Sequence, residues 1–224
     1  MRIAFAVLTA VVLTGAALPA FAAEPRTEDE KVLYAMGLAL SRNLMSFNLT
    51  KKELDMVQTG IEDGALNKKP QVDLQTYIPK ISELQRTRTA AIAEKEKQAS
   101  KGFLDKAAAE KGNTKTGSGL VYTSIKEGKG DSPKATDTVK VHYHGTLTNG
   151  TVFDSSVKRG EPVSFPLNGV IPCWTEGVQK MKVGGKARLV CPSDIAYGDA
   201  GRPPVIPPGA ALVFEVELLE IAKQ

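Results

Sequence analysis

Residues 139–156 read VKVHYHGTLTNGTVFDSS, and hydrophobic and polar side chains alternate through their first half. Successive side chains of a β-strand point to opposite faces, so Val139, Val141 and Tyr143 share one face. Asn149-Gly150 follows, a dipeptide that favours a tight two-residue hairpin turn. The segment therefore predicts two antiparallel strands with one face packed into a core.

The remainder of the C-terminal half continues this β pattern. Hydrophobic residues alternate again near the end of the chain, at Leu212, Phe214, Val216 and Leu218. A helical pattern is confined to about residues 175–181, and the run from Gly112 to Gly119 is typical of a domain boundary. We predict an α+β arrangement for residues 113–224, with an antiparallel sheet wrapped on one short helix.

The part of the chain before this boundary carries helical signals instead. Two Thr-x-x-Glu pairs have the spacing of a capping box: Thr27 with Glu30, and Thr50 with Glu53. Hydrophobic residues then recur at three- and four-residue steps, and a further helical stretch is predicted from Asp73 to about Lys111. We predict an all-α N-terminal part, with a helical domain over residues 23–70 and a long linker helix over residues 71–112.

The hydrophobic stripes of the first two helices are too small to form a core of their own. They need a surface to pack on, which is either the C-terminal domain or a second copy of the chain. We favour the second copy and predict a homodimer through residues of about 27–66. Residues 85–100 are mostly Ala, Glu, Lys, Arg and Gln, so we predict that this part of the linker helix is solvated and bridges the two ends.

The first 22 residues are organised as a secretion signal. Arg2 precedes a hydrophobic run over residues 3–18, and Ala20-Phe21-Ala22 matches a small-x-small cleavage site. A membrane anchor is the alternative, but the run is short for a bilayer and Pro19 ends it. We predict cleavage of residues 1–22, no membrane association afterwards, and a periplasmic or secreted bacterial protein.

Cys173 and Cys191 are the two cysteines of the chain. In an oxidising compartment they could form a disulfide that stabilises the fold by about 3 kcal/mol. Two buried free thiols are the alternative, because the sequence does not supply the distance between their Cα atoms.

Charge and histidine content argue against two classes of site. The formal net charge is +4, and no run of Lys and Arg is interleaved with aromatic residues, so nucleic-acid binding is not indicated. His142 and His144 share the polar face of their strand and could form a metal pair. No further ligand accompanies them, so we interpret both as surface residues and predict neither a metal nor a cofactor.

Five motifs follow one another in the C-terminal domain. They are Val141-His142-Tyr143-His144-Gly145, Thr151-Val152-Phe153-Asp154-Ser155-Ser156, Val170-Ile171-Pro172-Cys173-Trp174-Thr175-Glu176-Gly177, Ala196-Tyr197-Gly198, and Ile206-Pro207-Pro208 followed by Leu212-Val213-Phe214. In order and spacing they resemble the FKBP-type peptidyl-prolyl cis-trans isomerases. The helical part, with Tyr34-Ala35-Met36-Gly37, resembles the periplasmic macrophage infectivity potentiator (Mip) branch, whose members dimerise through N-terminal helices.

The resemblance implies a hydrophobic proline pocket with Trp174 as its floor. Asp154 would lie at the rim, where Arg159 either holds it in place or is solvated. The Tyr197 hydroxyl and the Ile171 backbone N–H would bind carbonyl groups of the substrate. The catalytic residues implied are Tyr143, Asp154 and Tyr197, and the substrate-binding residues are Phe153, Val163, Val170, Ile171, Trp174, Ile206 and Phe214. Without the motifs, the same residues would be interpreted as ordinary core.

Three positions depart from the family pattern. Cys173 replaces a usual Gly, Val163 a frequent Phe, and Arg202 a frequent His. We expect catalysis to tolerate all three. Val163 and Arg202 should border the pocket mouth, where they bear on the affinity for macrolide inhibitors and on the preference for the residue before proline.

The resemblance implies an isomerase that accelerates X-Pro isomerisation in unfolded or partly folded exported proteins and also acts as a chaperone. A binding module that keeps the fold without turnover is the alternative. The complete set of pocket residues favours the enzyme. We also expect a fragment from about Asn113 to Gln224 to fold alone as an active monomer.

Overall fold

The computed structural model describes residues 24–222, so the predicted signal peptide lies outside the described residues. The chain consists of two compact units, and the boundary between them lies between Ser41 and Arg42. The predicted domain limits at residues 22, 70 and 112 differ from this division and stay predictions. No helix within residues 24–222 is both long and hydrophobic enough to cross a bilayer.

The first unit contributes helix α1, Glu28–Ser41. Its predicted capping box is present, because the Thr27 hydroxyl accepts from the Glu30 amide at 3.2 Å and the Glu30 carboxylate accepts from the Thr27 amide at 2.9 Å. The large hydrophobic side chains of α1 are all exposed, with fractions from 49% at Leu40 to 62% at Val32. Within the described residues, the large hydrophobic side chains of this helix are therefore left uncovered.

The second unit begins with three helical segments: a 3-10 segment over Arg42–Phe47, helix α2 over Lys51–Ala65, and helix α3 over Leu74–Ala109. The second predicted capping box is also present, between Thr50 and Glu53. Asp73 caps α3 by accepting from the Thr76 amide at 3.1 Å. The continuous linker helix that the sequence predicts is thus observed.

One arginine on α3 connects these segments. Arg88 donates to the Phe47 carbonyl at 2.8 Å and pairs with the Glu53 carboxylate at the start of α2. The hydrogen bond from Arg88, together with those from Thr50, lowers the pKa of Glu53 to about 2. The junction between the 3-10 segment and α2 is therefore fixed against α3 by one guanidinium group.

The C-terminal part of the second unit is an antiparallel sheet. Its strands in chain order are β1 Asn113–Lys115, β2 Val121–Lys126, β3 Thr138–Leu147, β4 Val152–Ser155, β5 Val163–Pro166, β6 Lys186–Cys191 and β7 Leu212–Ala222. Their spatial order is β1-β2-β6-β7-β3-β4, with β5 also paired to β3. The central ladder joins β3 to β7, and the predicted hairpin joins β3 to β4.

The sheet packs on helix α5, Pro172–Gln179. Val139, Val141 and Tyr143 are buried in one core with Trp174 and Val178 of α5, as their alternation predicts. A one-turn helix, α4, covers Ser156–Arg159 directly after β4. The predicted α+β architecture, with an antiparallel sheet on one short helix and an all-α N-terminal part, is confirmed.

The predicted solvation of residues 85–100 is wrong for one face of α3, and that face continues to the end of the helix. Ala93, Ser100 and Ala107 are buried, and Phe103 and Leu104 pack beside a cluster that contains Ala107 and three valines of the sheet, Val121, Val190 and Val213. The three buried residues recur every seven positions and so share one face of the helix. Because these three residues are small, the helix backbone can approach the domain closely. The spacing of large hydrophobic residues therefore does not indicate this face of the helix.

This contact changes the expected behaviour of fragments. A fragment starting at Asn113 loses the cover that Phe103, Leu104 and Ala107 give the sheet, whereas one starting at Ala90 keeps it. We expect the longer fragment to be more stable by about 2–4 kcal/mol, because hydrophobic side chains stay buried. Urea unfolding of both fragments measures the difference. Equal unfolding midpoints would show that α3 adds nothing to the stability of the C-terminal domain.

Candidate active site

A cleft of about 350 Å³ opens at the hydrophobic end of the core. Strands β3, β4, β5 and β7 contribute to it, together with the start of α5 and the segment after β6. The lining residues are Tyr143, Phe153, Asp154, Phe165, Gly169, Val170, Ile171, Trp174, Tyr197, Arg202 and Phe214. Most of this surface is aromatic or branched aliphatic, so the cleft suits a compact apolar group.

Trp174 lies at the centre of the aromatic cluster. Its ring meets Tyr143, Phe214 and Phe165 edge to face, with centroids 5.4, 5.3 and 5.8 Å away. The side chain is 4% exposed, and its Nε1 donor has no hydrogen-bond partner among residues 24–222. Pro172 at the first helical position starts α5, which places Trp174 in the first turn. The floor of the cleft is therefore a rigid apolar surface.

One glycine allows two of the rings to pack. A Cβ atom at Gly145 would lie 2.6 Å from the Phe153 ring and 3.1 Å from Phe214. These two rings meet edge to face with centroids 5.5 Å apart. Any side chain at this point of β3 would displace Phe153 from the cleft wall.

A carboxylate network forms the polar rim. The Tyr143 hydroxyl and the Arg159 guanidinium both donate to Asp154, and the Ser155 amide donates to it at 2.8 Å. A second nitrogen of Arg159 donates to the Tyr143 hydroxyl at 3.1 Å. Of the two alternatives for Arg159, the structure has the one in which it pairs with Asp154. The carboxylate is thus fixed in orientation from three sides.

These contacts set the protonation states of the rim. Partial burial alone would raise the pKa of Asp154, but the hydrogen bonds from Tyr143 and Arg159 outweigh it and lower the pKa below 3.8. Burial and the bond to Asp154 raise the pKa of Tyr143 above 10.0, although Arg159 opposes this. Asp154 is therefore ionised and Tyr143 neutral near pH 7.

We expect kcat/KM for a prolyl peptide to be flat from about pH 5 to about pH 9, since neither group titrates in that window. The stabilisation from ionised Asp154 is complete above its unfolded-state pKa and is lost as pH falls through its lower folded pKa. A pH profile with the folded fraction measured at each point checks this. A bell-shaped pH profile in which kcat/KM changes near pH 7 would contradict this expectation.

Two of the predicted pocket residues lie outside the lining. Val163 pairs with Val141 in the ladder between β3 and β5, and Ile206 is buried in the core. Phe165, which the resemblance did not assign, lines the cleft instead. It lies two positions after Val163 on the same face of β5, so strand periodicity could have predicted that it faces the cleft. Gly169 contributes only its backbone, so no side-chain pattern in the sequence predicts its place in the lining.

The two histidines lie on the other side of β3. The Nδ1 atoms of His142 and His144 lie 3.2 and 3.0 Å from the hydroxyls of Ser156 and Ser155. In the described part of the chain, no group of three or more His, Cys, Asp or Glu side chains is arranged to hold a metal ion.

The two cysteines are bonded to each other in the structure. Cys173 of α5 and Cys191 at the end of β6 have Cα atoms 5.8 Å apart, and both are fully buried. The bond fastens α5, which carries Trp174, to the sheet. The helix that forms the floor is therefore held covalently.

We expect this disulfide in the protein exported to an oxidising compartment, and we expect its loss to lower the free energy of unfolding by about 3 kcal/mol. A double Cys173→Ala and Cys191→Ala variant, unfolded in urea beside the wild type, measures the loss. Thiol titration of the unreduced, denatured wild type is the control. Two titrating thiols per chain would contradict the bond.

Comparisons with known proteins agree with this geometry. Residues 129–219 match the family model for FKBP-type peptidyl-prolyl cis-trans isomerases, and residues 29–123 match the model for the domain amino terminal to such isomerases. The chain is 44% identical to the FKBP-type isomerase FkpA of Aeromonas hydrophila, covering 96% of this chain and 85% of the relative. It is 34% identical to the isomerase Mip of Coxiella burnetii, covering 92% of each.

A solved structure supports the fold over most of the chain. The crystal structure of FkpA from Escherichia coli aligns with a TM-score of 0.64 at 38% identity, covering 88% of this chain and 97% of that one. The match includes both the helical part and the sheet, so the resemblance drawn from the five motifs is confirmed. The chain therefore belongs to the FKBP-type peptidyl-prolyl cis-trans isomerases and is an enzyme of that class.

Proposed function

We propose that the cleft around Trp174 holds the proline ring of a substrate while its X-Pro bond rotates. The observation that supports this most is the arrangement of the lining, which is apolar and aromatic at the floor and polar at the rim. A proline ring is apolar, so it adds no polar group that would need a partner on such a surface. The preceding peptide carbonyl would then lie among the rim groups.

The chemistry requires no strong acid, base or metal. Rotation about an X-Pro bond breaks no σ bond, and the barrier of about 20 kcal/mol is lost amide resonance. The planar, polarised amide is well solvated in water, and an apolar cleft removes that solvation. Hydrogen bonds aimed at the twisted amide then favour the transition state over both planar ground states.

Each rim residue has a role in this proposal. The Tyr197 hydroxyl and the Ile171 backbone N–H donate to substrate carbonyls on either side of the bond. Loss of resonance makes the prolyl amide carbon more electrophilic, and the fixed anion of Asp154 favours that form. Tyr143 and Arg159 hold Asp154 in place.

The sole tryptophan of the chain provides a direct test of binding, because Trp174 fluorescence reports the floor alone. Titration with a proline peptide should give a saturable change, and a matched peptide with Ala in place of Pro should give none. Tyr197→Phe should weaken binding several-fold by removing one hydrogen bond. A macrolide inhibitor should compete. Fluorescence that does not respond to the proline peptide would overturn the placement of the substrate.

We further propose that the enzyme is a homodimer joined through its N-terminal helices. The exposed hydrophobic side chains of α1 support this, and Leu74, Tyr77, Ile78 and Ile81 on the first turns of α3 are exposed as well. Exposed hydrophobic side chains in such numbers are typical of an interaction site. Burial against a second copy of the chain would cover the hydrophobic side chains of both helices.

Two pockets in one dimer would also provide chaperone activity. A folding client held by one pocket meets the second at a high effective concentration. We propose that the clients are proline-containing proteins folding in the bacterial periplasm or outside the cell. The predicted signal peptide and the bond between Cys173 and Cys191 both suit an oxidising compartment.

The proposed roles of the N-terminal helices in dimerisation and of the two pockets in chaperone activity have a separate test. Sedimentation of the full-length protein at micromolar concentration should give a dimer, and the fragment from Ala90 should give a monomer. Both should turn over a short peptide equally, while the full-length protein should refold a proline-limited client faster. A monomeric full-length protein, or a fragment that matches it on the protein client, would refute the proposal.

A further inference from the structure

The segment from Pro192 to Gly209 forms one wall of the cleft. It carries Tyr197 and Arg202, both of which line the cleft. It contains two short 3-10 turns and little other regular structure. Its position relative to Trp174 therefore depends on the packing of Ile206 in the core and on the contacts that its outer face makes.

Hydrogen bonds inside the segment connect its parts to one another. The Tyr197 carbonyl accepts from the Gly201 amide at 3.1 Å, and the Gly198 carbonyl accepts from the Gly209 amide at 3.0 Å. Arg202 and Ile206 exchange two backbone hydrogen bonds, at 2.8 and 3.1 Å. Tyr197 is thus linked through backbone hydrogen bonds to residues that include Gly209 on the outer face.

Helix α3 contacts that outer face at two points. At the first, a Cβ atom at Gly209 would lie 2.4 Å from the Ala93 carbonyl oxygen, so the two backbones are in close contact. At the second, one turn further along α3, the Lys97 ammonium lies 2.7 Å from Asp199 and 3.1 Å from Asp194. These carboxylates lie two residues after and three residues before Tyr197.

We propose that Lys97 of the linker helix is a positioning residue for Tyr197. Its single charge joins the two acidic residues that flank Tyr197 and holds the hydroxyl at the cleft. The inference rests on the proposed role of Tyr197 in binding a substrate carbonyl. It makes the linker helix a part of the active-site support rather than a spacer.

The two contacts have separate consequences. The packing of Ala93 on Gly209 contributes to stability, because it excludes water from backbone surfaces. The ion pairs of Lys97 are largely exposed and contribute little to stability. Removal of the charge should therefore change substrate binding more than it changes the fold.

The test compares Lys97→Met with Lys97→Arg and with the control Lys101→Met in the full-length protein. Lys101 lies one turn further along α3 and forms no ion pair within the described residues. We expect Lys97→Met to raise KM for a prolyl peptide about two- to fivefold with kcat nearly unchanged. Lys97→Arg should restore KM, and Lys101→Met should match the wild type.

A double variant separates positioning from a general structural effect. In the Tyr197→Phe background, Lys97→Met should have no further effect on KM, because the hydroxyl that it positions is gone. An additive loss would overturn the inference, as would wild-type KM in Lys97→Met. If Tyr197→Phe itself had no effect, both the role of Tyr197 and its positioning by Lys97 would be wrong. The isomerase cleft would still be tested independently by Asp154→Ala.

Discussion

Asp154→Ala should lower kcat/KM for a prolyl peptide by at least about tenfold, because it removes a charge that three donors fix at the rim. Its loss also leaves the Tyr143 hydroxyl without its acceptor. Tyr143→Phe should have a smaller effect in the same direction, since the carboxylate keeps Arg159. Asp154 is only partly buried, and Tyr143→Phe keeps the ring that packs in the core, so the fold should survive.

The matched control is Asp105→Ala, which removes an exposed carboxylate from α3, away from the cleft. Its turnover should equal that of the wild type. Peptide isomerisation rates for the three variants should be measured beside their unfolding midpoints. Full turnover in a folded Asp154→Ala protein would remove Asp154 from the catalytic set.

Trp174→Ala should reduce both activity and stability. The side chain is buried and contacts three other rings, so its truncation should cost about 3–5 kcal/mol of unfolding free energy. The proline ring would also lose the surface on which it lies. We expect turnover below that of Asp154→Ala.

Trp174→Phe separates the two effects of this truncation. A smaller ring fills most of the space, so stability should recover by more than half while the floor remains apolar. Urea unfolding and peptide isomerisation measured on both variants check this. If the Trp174→Ala variant had the same free energy of unfolding as the wild type, the aromatic cluster would not be part of the core.

The sequence predicts the sheet and most of the cleft because those residues follow strand periodicity. Tyr143 and Phe214 occupy inward positions of β3 and β7, where alternation fixes the face that each presents. The position of Phe165 follows the same rule on β5. Val163, which the resemblance assigns to the pocket, lies on the same strand but is not among the lining residues.

The packing of α3 on the domain was not predictable in the same way. Ala93 and Ser100 carry little hydrophobic surface, and their burial results from close backbone approach rather than from side-chain hydrophobicity. The partner surface also requires Gly209, more than a hundred residues away in sequence. Lys97 lies among alternating charges that favour a solvated helix, although it meets two carboxylates in the folded chain.

The central claim is that this cleft accelerates rotation about X-Pro bonds. The most direct measurement is the cis-trans exchange rate of a short prolyl peptide, followed by NMR as the wild-type protein is added in catalytic amounts. Uncatalysed exchange takes tens to hundreds of seconds. The account predicts an exchange rate that rises in proportion to enzyme concentration, with a much smaller slope for Asp154→Ala. An exchange rate that stays at the uncatalysed value with folded wild-type protein would contradict it.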